Sequence, residues 1–186
     1  SGLLTERGPD LYDFLHQTFK EYLAADYLAN VEDPLKLLGE QVFAPRLLEV
    51  VLLAVARMRA PHATRFITAL LDRRGEYDDL LQRPLVLACR CLCDDITVRA
   101  TAREAVTDAI SDLFADGRPW RASHVLEHLG DHAVGSAFAE ALAGALALPL
   151  QGEVRPMYHA AMSELAMLDV ASDAVLDTLV GLLDDG

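Results

Sequence analysis

From residue 45 onward, apolar positions recur at spacings of three and four, broken at regular intervals by proline and glycine. Val98, Ala102, Ala105, Val106, Ala109, Ile110 and Leu113 form one such stripe, and Leu176, Leu179, Val180 and Leu183 another. This spacing places one apolar face along a helix. Pro45, Pro84, Pro119 and Pro156 each open an apolar helical segment, at intervals of 39, 35 and 37 residues. Three of them sit in Arg-Pro pairs, Arg83-Pro84, Arg118-Pro119 and Arg155-Pro156. Proline suits the first turn of a helix, where its missing N–H costs nothing. A second helical pattern follows each proline segment: His62 to Arg74, Val98 to Ala115, Val134 to Leu148, and Ser172 to Leu183. Their starts are 36, 36 and 38 residues apart.

Two markers therefore report the same period of roughly 37 residues, each made of two helices, which is the pattern of an α-solenoid. It resembles HEAT repeats. The fold class expected is all-α: about four HEAT-like helix pairs over residues 41–186, preceded by a small β-hairpin. Gly75, Gly117 and Gly130 are expected just past helix ends, and Thr97 and Ser172 as N-caps. Tyr77 to Gln82 lengthens one repeat and predicts an extra turn or a kinked helix.

Residues 1–40 follow a different pattern. Leu3-Leu4-Thr5 and Leu11 to Leu15 read as short strands around the turn Arg7-Gly8-Pro9-Asp10. A helix is expected from about His16 to Asn30, with Phe19, Tyr22 and Leu23 in its core-facing part. Asp33 before Pro34 makes an N-cap and first-turn pair for a short helix through Leu38. A lone hairpin is marginal in water. The chain is thus expected to be a fragment of a longer protein whose earlier part completes this first region.

Within that region lie Ser1-Gly2-Leu3-Leu4 and Phe14-Leu15-His16-Gln17-Thr18-Phe19-Lys20-Glu21-Tyr22-Leu23-Ala24-Ala25. These residues resemble the end of the winged-helix region of NACHT-type STAND NTPases, whose pattern runs sGLL … F-x-H-x-[ST]-F-x-E-[YF]-x-A-A. The match covers about the first 30 residues. The resemblance implies an ATP-controlled signalling switch, closed with ADP and open and oligomeric with ATP. It further implies that His16 contacts the β-phosphate of ADP, held with magnesium by an upstream nucleotide-binding domain of the same chain. A histidine at a helix N-terminus suits that task, because its ring N–H and the open backbone N–H groups both face an anion. The remaining residues would then be a regulatory, autoinhibitory sensor that binds a protein ligand, with defence as the expected setting.

Composition sets limits on this reading. The chain is 52% hydrophobic and 24% charged, enough apolar content for a packed core. The net charge is −13, and the acidic excess is concentrated after residue 76. An acidic surface repels a phosphate backbone, so no nucleic acid is expected as a partner and a helical-repeat DNA glycosylase is disfavoured. No apolar run reaches the length of a membrane span and no signal-peptide pattern is present, which predicts a cytoplasmic protein without a membrane partner. The chain contains no G-x-x-x-x-G-K-[ST] loop. It is therefore not expected to be an enzyme by itself, and any ATPase chemistry would belong to the parent protein.

Other candidate chemistry is sparse. Cys89, Cys91 and Cys93 alternate, which points them to different sides of a helix and predicts buried free thiols rather than a metal cluster. His124, His128 and His132 fall at i, i+4 and i+8 with Glu127 and Asp131 nearby, but Gly130 interrupts the segment and no H-E-x-x-H pattern is present. No metal site and no catalytic residue is expected, and these histidines read as a partly exposed polar edge. Asp94-Asp95 and Asp184-Asp185 are adjacent carboxylates, which do not face each other across a substrate. Glu21 is expected to cap or to pair with a basic neighbour, and Trp120 to pack between repeats. The alternative to the switch is a plain HEAT-repeat interaction scaffold with no nucleotide role.

Overall fold

The computed structural model describes residues 4–142 apart from 10, 15, 95, 116–118, 130–135 and 140, and these are mostly helical. The expected segments after Leu142, including those at Pro156 and Ser172, lie outside the described residues, as do Gly117, Gly130, His132 and His159.

Two strands begin the chain: β1 (Leu4–Gly8) and β2 (Leu11–Phe14). They pair antiparallel with Leu4 opposite Phe14 and Glu6 opposite Tyr12, and the register shifts by one between Glu6 and Gly8. Helix α1 (Gln17–Asn30) follows and packs most extensively on α3 (Leu48–Arg57). Between them lies α2 (Pro34–Leu38), started as the sequence predicts: Asp33 Oδ1 accepts the Lys36 N–H at 2.9 Å, with Pro34 in the first turn. Gly39 ends α2 at φ 53°, ψ −136°, a backbone region that a side chain strongly disfavours. Two 3₁₀ turns, Gly39–Phe43 and Pro45–Leu47, lead into α3, so Pro45 opens a tight turn and not the α-helix itself.

Helix α4 (Ala60–Leu71) is followed by the single turn α5 (Asp78–Leu81), then α6 (Arg83–Cys93), α7 (Ala100–Ala115) and α8 (Pro119–Glu127). The extra turn expected from Tyr77 to Gln82 is α5. Gln82 separates it from α6 in a left-handed conformation, φ 47°, supported by a hydrogen bond from its own Nε2 to Asp79 O at 3.0 Å. Gly75 stands three residues beyond the capping residue Asp72, so it is not the helix-ending glycine that the sequence predicts. Its lack of a side chain matters for space: a Cβ there would meet Asp78 Oδ2 at 2.7 Å.

The core runs as one cluster through helical stripes. Ala63, Ile67 and Leu70 on α4, and Ala102, Val106 and Ile110 on α7, are fully buried at spacings of three and four. Each large apolar side chain removed from water this way contributes about 1.5–3 kcal/mol. Helix α6 contacts α3, α4, α7 and α8, and only its Arg83, Val86 and Arg90 side is left partly open. That position explains the cysteines. Alternation sends Cys89, Cys91 and Cys93 to different sides, and all three are buried free thiols because neighbouring helices cover α6 at each of those positions. Burial pushes the thiols of Cys89 and Cys91 well above their ordinary pKa.

At the start of α7 the expected N-cap Thr97 is exposed. The hydroxyl of Thr64, on α4, instead accepts the Arg99 N–H at 3.0 Å. A bond from another helix thus holds the entry to α7. Farther on, Ser136 Oγ accepts the Ala139 N–H at 3.1 Å, and Phe138, Ala139 and Leu142 are buried.

Candidate functional site

His16 is the N-cap of α1, with extended backbone (φ −122°, ψ 133°) and no hydrogen bond from its side chain to the helix. Its ring is exposed and lies 6.3 Å from that of Phe19. The first turn of α1 contains no acidic residue. The helix start thus combines the positive end of the peptide dipole, backbone N–H groups that no capping side chain takes, and an imidazole on the solvent side. This donor set fits an anion such as a phosphate.

The residues around it differ from expectation. Phe19, Tyr22 and Leu23 are 44%, 47% and 49% exposed and are not core residues. The helix buries Ala25, Leu28 and Ala29 against α3, and its opposite side carries Phe19, Leu23 and Tyr27 in an i, i+4, i+8 row. Tyr12 on β2 is also exposed. Tyr22 lies at the side of the row, under the guanidinium of Arg57 at 4.7 Å from the ring centre. Arg57 also pairs with Asp26, which raises its own pKa further, and these contacts pin α3 to α1. Glu21 accepts from Gln17 Nε2 at 3.1 Å, so its partner is an amide one turn back and not a basic residue. The sequence could not separate the two apolar sides of α1, because it shows small residues on one and aromatic residues on the other without saying which is covered.

A second feature is a cavity of about 270 Å³ between the first 3₁₀ turn, α3, α6 and α8. Val42, Phe43, Leu48 and Leu87 form its apolar walls, and Arg83, Arg90, His124 and His128 its polar ones. Arg83 is held by Asp78 Oδ1 at 2.7 Å and Glu40 Oε2 at 3.5 Å, and its guanidinium covers the Phe43 ring at 4.8 Å. The two histidine rings lie 4.1 Å apart between centroids. Glu127 belongs with them: one donor atom from each of His124, Glu127 and His128 falls within a 4.8 Å cluster. The spacing of His124, His128 and His132, with Glu127 and Asp131 nearby, is visible in the sequence. The continuation of helical bonding to His128, whose N–H reaches His124 O at 3.2 Å, is what keeps the trio together before Gly130.

Trp120 is 50% exposed with the Arg121 guanidinium 5.2 Å above its ring, and so is not packed inside as expected. Asp94 is the C-cap of α6 and is exposed, while Asp95, Asp184 and Asp185 lie outside the described residues. Among the described residues no helix is long and apolar enough to cross a membrane. Comparisons with protein-family models, with curated proteins and with solved structures find no match.

Proposed function

We propose that this chain is the regulatory and sensor part of a NACHT-type STAND switch. On this reading β1, β2 and α1 close a winged-helix region, and the later helix pairs form a HEAT-like solenoid that binds a protein ligand and restrains the closed state. The observation that carries the reading is the start of α1. His16 stands exposed at an uncapped helix N-terminus, inside the sequence F-L-H-Q-T-F-K-E-Y-L-A-A, and an apolar row runs away from it on the uncovered side of the same helix.

An upstream nucleotide-binding domain would cover that row and bring the β-phosphate of ADP to His16. The packing of α3 on α6, α6 on α8 and α4 on α7 supports stacked helix pairs. The phosphate loop and magnesium ligands would come from the upstream domain, so His16 completes a nucleotide site and does not make one. The expected setting is cytoplasmic, with oligomerisation of the parent protein on ATP exchange.

The test is nucleotide retention by the natural chain that carries this segment, purified as wild type and as His16→Ala. Bound ADP in wild type and its loss in the variant, or signalling without a trigger, is the expected result. Equal retention in both removes the latch role of His16. Absence of nucleotide from both favours a plain scaffold.

A further inference from the structure

Helix α8 ends at Glu127, and its last turn and the next residue read His124-Val125-Leu126-Glu127-His128. Val125 and Leu126 turn inward and are fully buried, while Glu127 and His128 are exposed and His124 is half-buried. Positions i, i+3 and i+4 share one face of a helix, so the three polar side chains stand together, and His124 and His128 also line the cavity. Their donor atoms lie within 4.8 Å of one another.

We propose that His124, Glu127 and His128 form a binding site for a borderline divalent cation such as Zn²⁺. Two imidazoles and a carboxylate are the donor set such ions take, and a helix C-terminus favours positive charge. His128 is already oriented. Its Nδ1 lies 2.9 Å from His124 O, and a carbonyl only accepts, so Nδ1 carries the proton and Nε2 is the nitrogen left for a ligand. A backbone carbonyl holding the second ring nitrogen is the usual support for a metal-binding histidine. Donors on one tetrahedral ion stand about 3.3 Å apart, so the trio must close by at most about 1.5 Å, within reach of rotamer changes in the exposed Glu127 and His128 side chains.

The surroundings also bear on selectivity. Arg83 and Arg90 line the same cavity, and the charge of Arg83 is already answered by Asp78 and Glu40. The three cysteines do not compete, since they are buried and the thiols of Cys89 and Cys91 are held in the neutral form. With three protein donors, at least one coordination position remains open.

The probe is Co²⁺ titrated into the chelator-treated 186-residue chain, followed by its visible d–d bands and then displaced with Zn²⁺. One ion per chain is expected. His124→Gln and His128→Gln should each weaken binding at least about tenfold, while Glu127→Gln weakens it less. His128→Gln keeps a donor for His124 O and so separates ligation from helix support. His62→Ala should bind as wild type. A Zn²⁺-dependent rise in Tm, present in wild type and lost in His124→Gln, provides a second readout. Saturable binding that survives the double variant His124→Gln/His128→Gln, or no saturable binding in wild type, overturns the site.

Discussion

Arg83 Nε donates to Asp78 Oδ1 at 2.7 Å, and this bond spans the left-handed residue Gln82 that separates α5 from α6. Asp78 is buried while the guanidinium reaches outward to Glu40, so the pair locks the short turn to the long helix and to the 3₁₀ turn beyond it. Asp78→Ala should lower unfolding stability by about 1–3 kcal/mol, since it removes a charge-assisted bond and leaves Arg83 with the exposed Glu40 alone. Urea denaturation measures it, and an unchanged midpoint would mean that the pair contributes nothing.

Gly75 depends on that same carboxylate. A side chain at Gly75 would press on Asp78 Oδ2 and on Arg83 Nη2 at 3.0 Å. Gly75→Ala is expected to destabilise by about 1–2 kcal/mol, and most of that cost should vanish in an Asp78→Ala background. A double-mutant cycle reads the coupling directly, and strictly additive losses would show that the contact is relieved elsewhere.

Gly39 is the contrasting case. Nothing lies within 4 Å of a Cβ built there, yet its φ of 53° is unfavourable for any side chain. Gly39→Ala should cost about 1–3 kcal/mol through backbone strain alone, and no neighbouring truncation should rescue it. Thermal unfolding of the single variant, and of Gly39→Ala combined with Asp78→Ala, tests this.

Asp33→Ala should remove the cap of α2 at a cost of about 1 kcal/mol, whereas Asp33→Asn or Asp33→Ser should nearly preserve it. Chemical denaturation of the three variants distinguishes a capping role from a purely electrostatic one, in which the neutral replacements would fail as Asp33→Ala does.

The buried thiols give a pH signature. Their pKa is raised in the folded chain, so the unfolded chain loses these protons first as pH rises. Their contribution to stability is complete below the ordinary thiol range and falls as pH climbs through it. Stability should therefore decline from about pH 9 upward, and less steeply in Cys89→Ala/Cys91→Ala. In the native chain near neutral pH the thiols should resist a thiol reagent until denaturant is added. Rapid labelling under native conditions would contradict their burial.

Proline, aspartate and cysteine placed much of the fold in the sequence because their effects are local. Pro34, Pro84 and Pro119 stand in the first turns of α2, α6 and α8, and Asp33 caps as its side chain dictates. The failures come from tertiary contacts. The entry to α7 is held by Thr64, a residue of another helix that the local sequence around Thr97 does not reveal. Phe19, Leu23 and Trp120 carry apolar surface that periodicity assigned to the interior, yet smaller residues fill the contacts beneath α1. The polar trio on α8 was half visible, since the spacing of His124 and His128 is local but its continuation past the helix end depends on backbone bonding.

The extensive helix contacts described above all join elements close in the chain: α1 with α3, α4 with α6 and α7, α6 with α8. Such contacts close loops of moderate length as the chain folds, which keeps the entropic cost of bringing the helices together modest. If the helix pairs stack as the proposed solenoid, order can also be lost from one end while the other stands. Tension or proteolysis would then undo this protein in steps, each releasing one helix pair, and a partner that grips a single pair could set how far the loss proceeds.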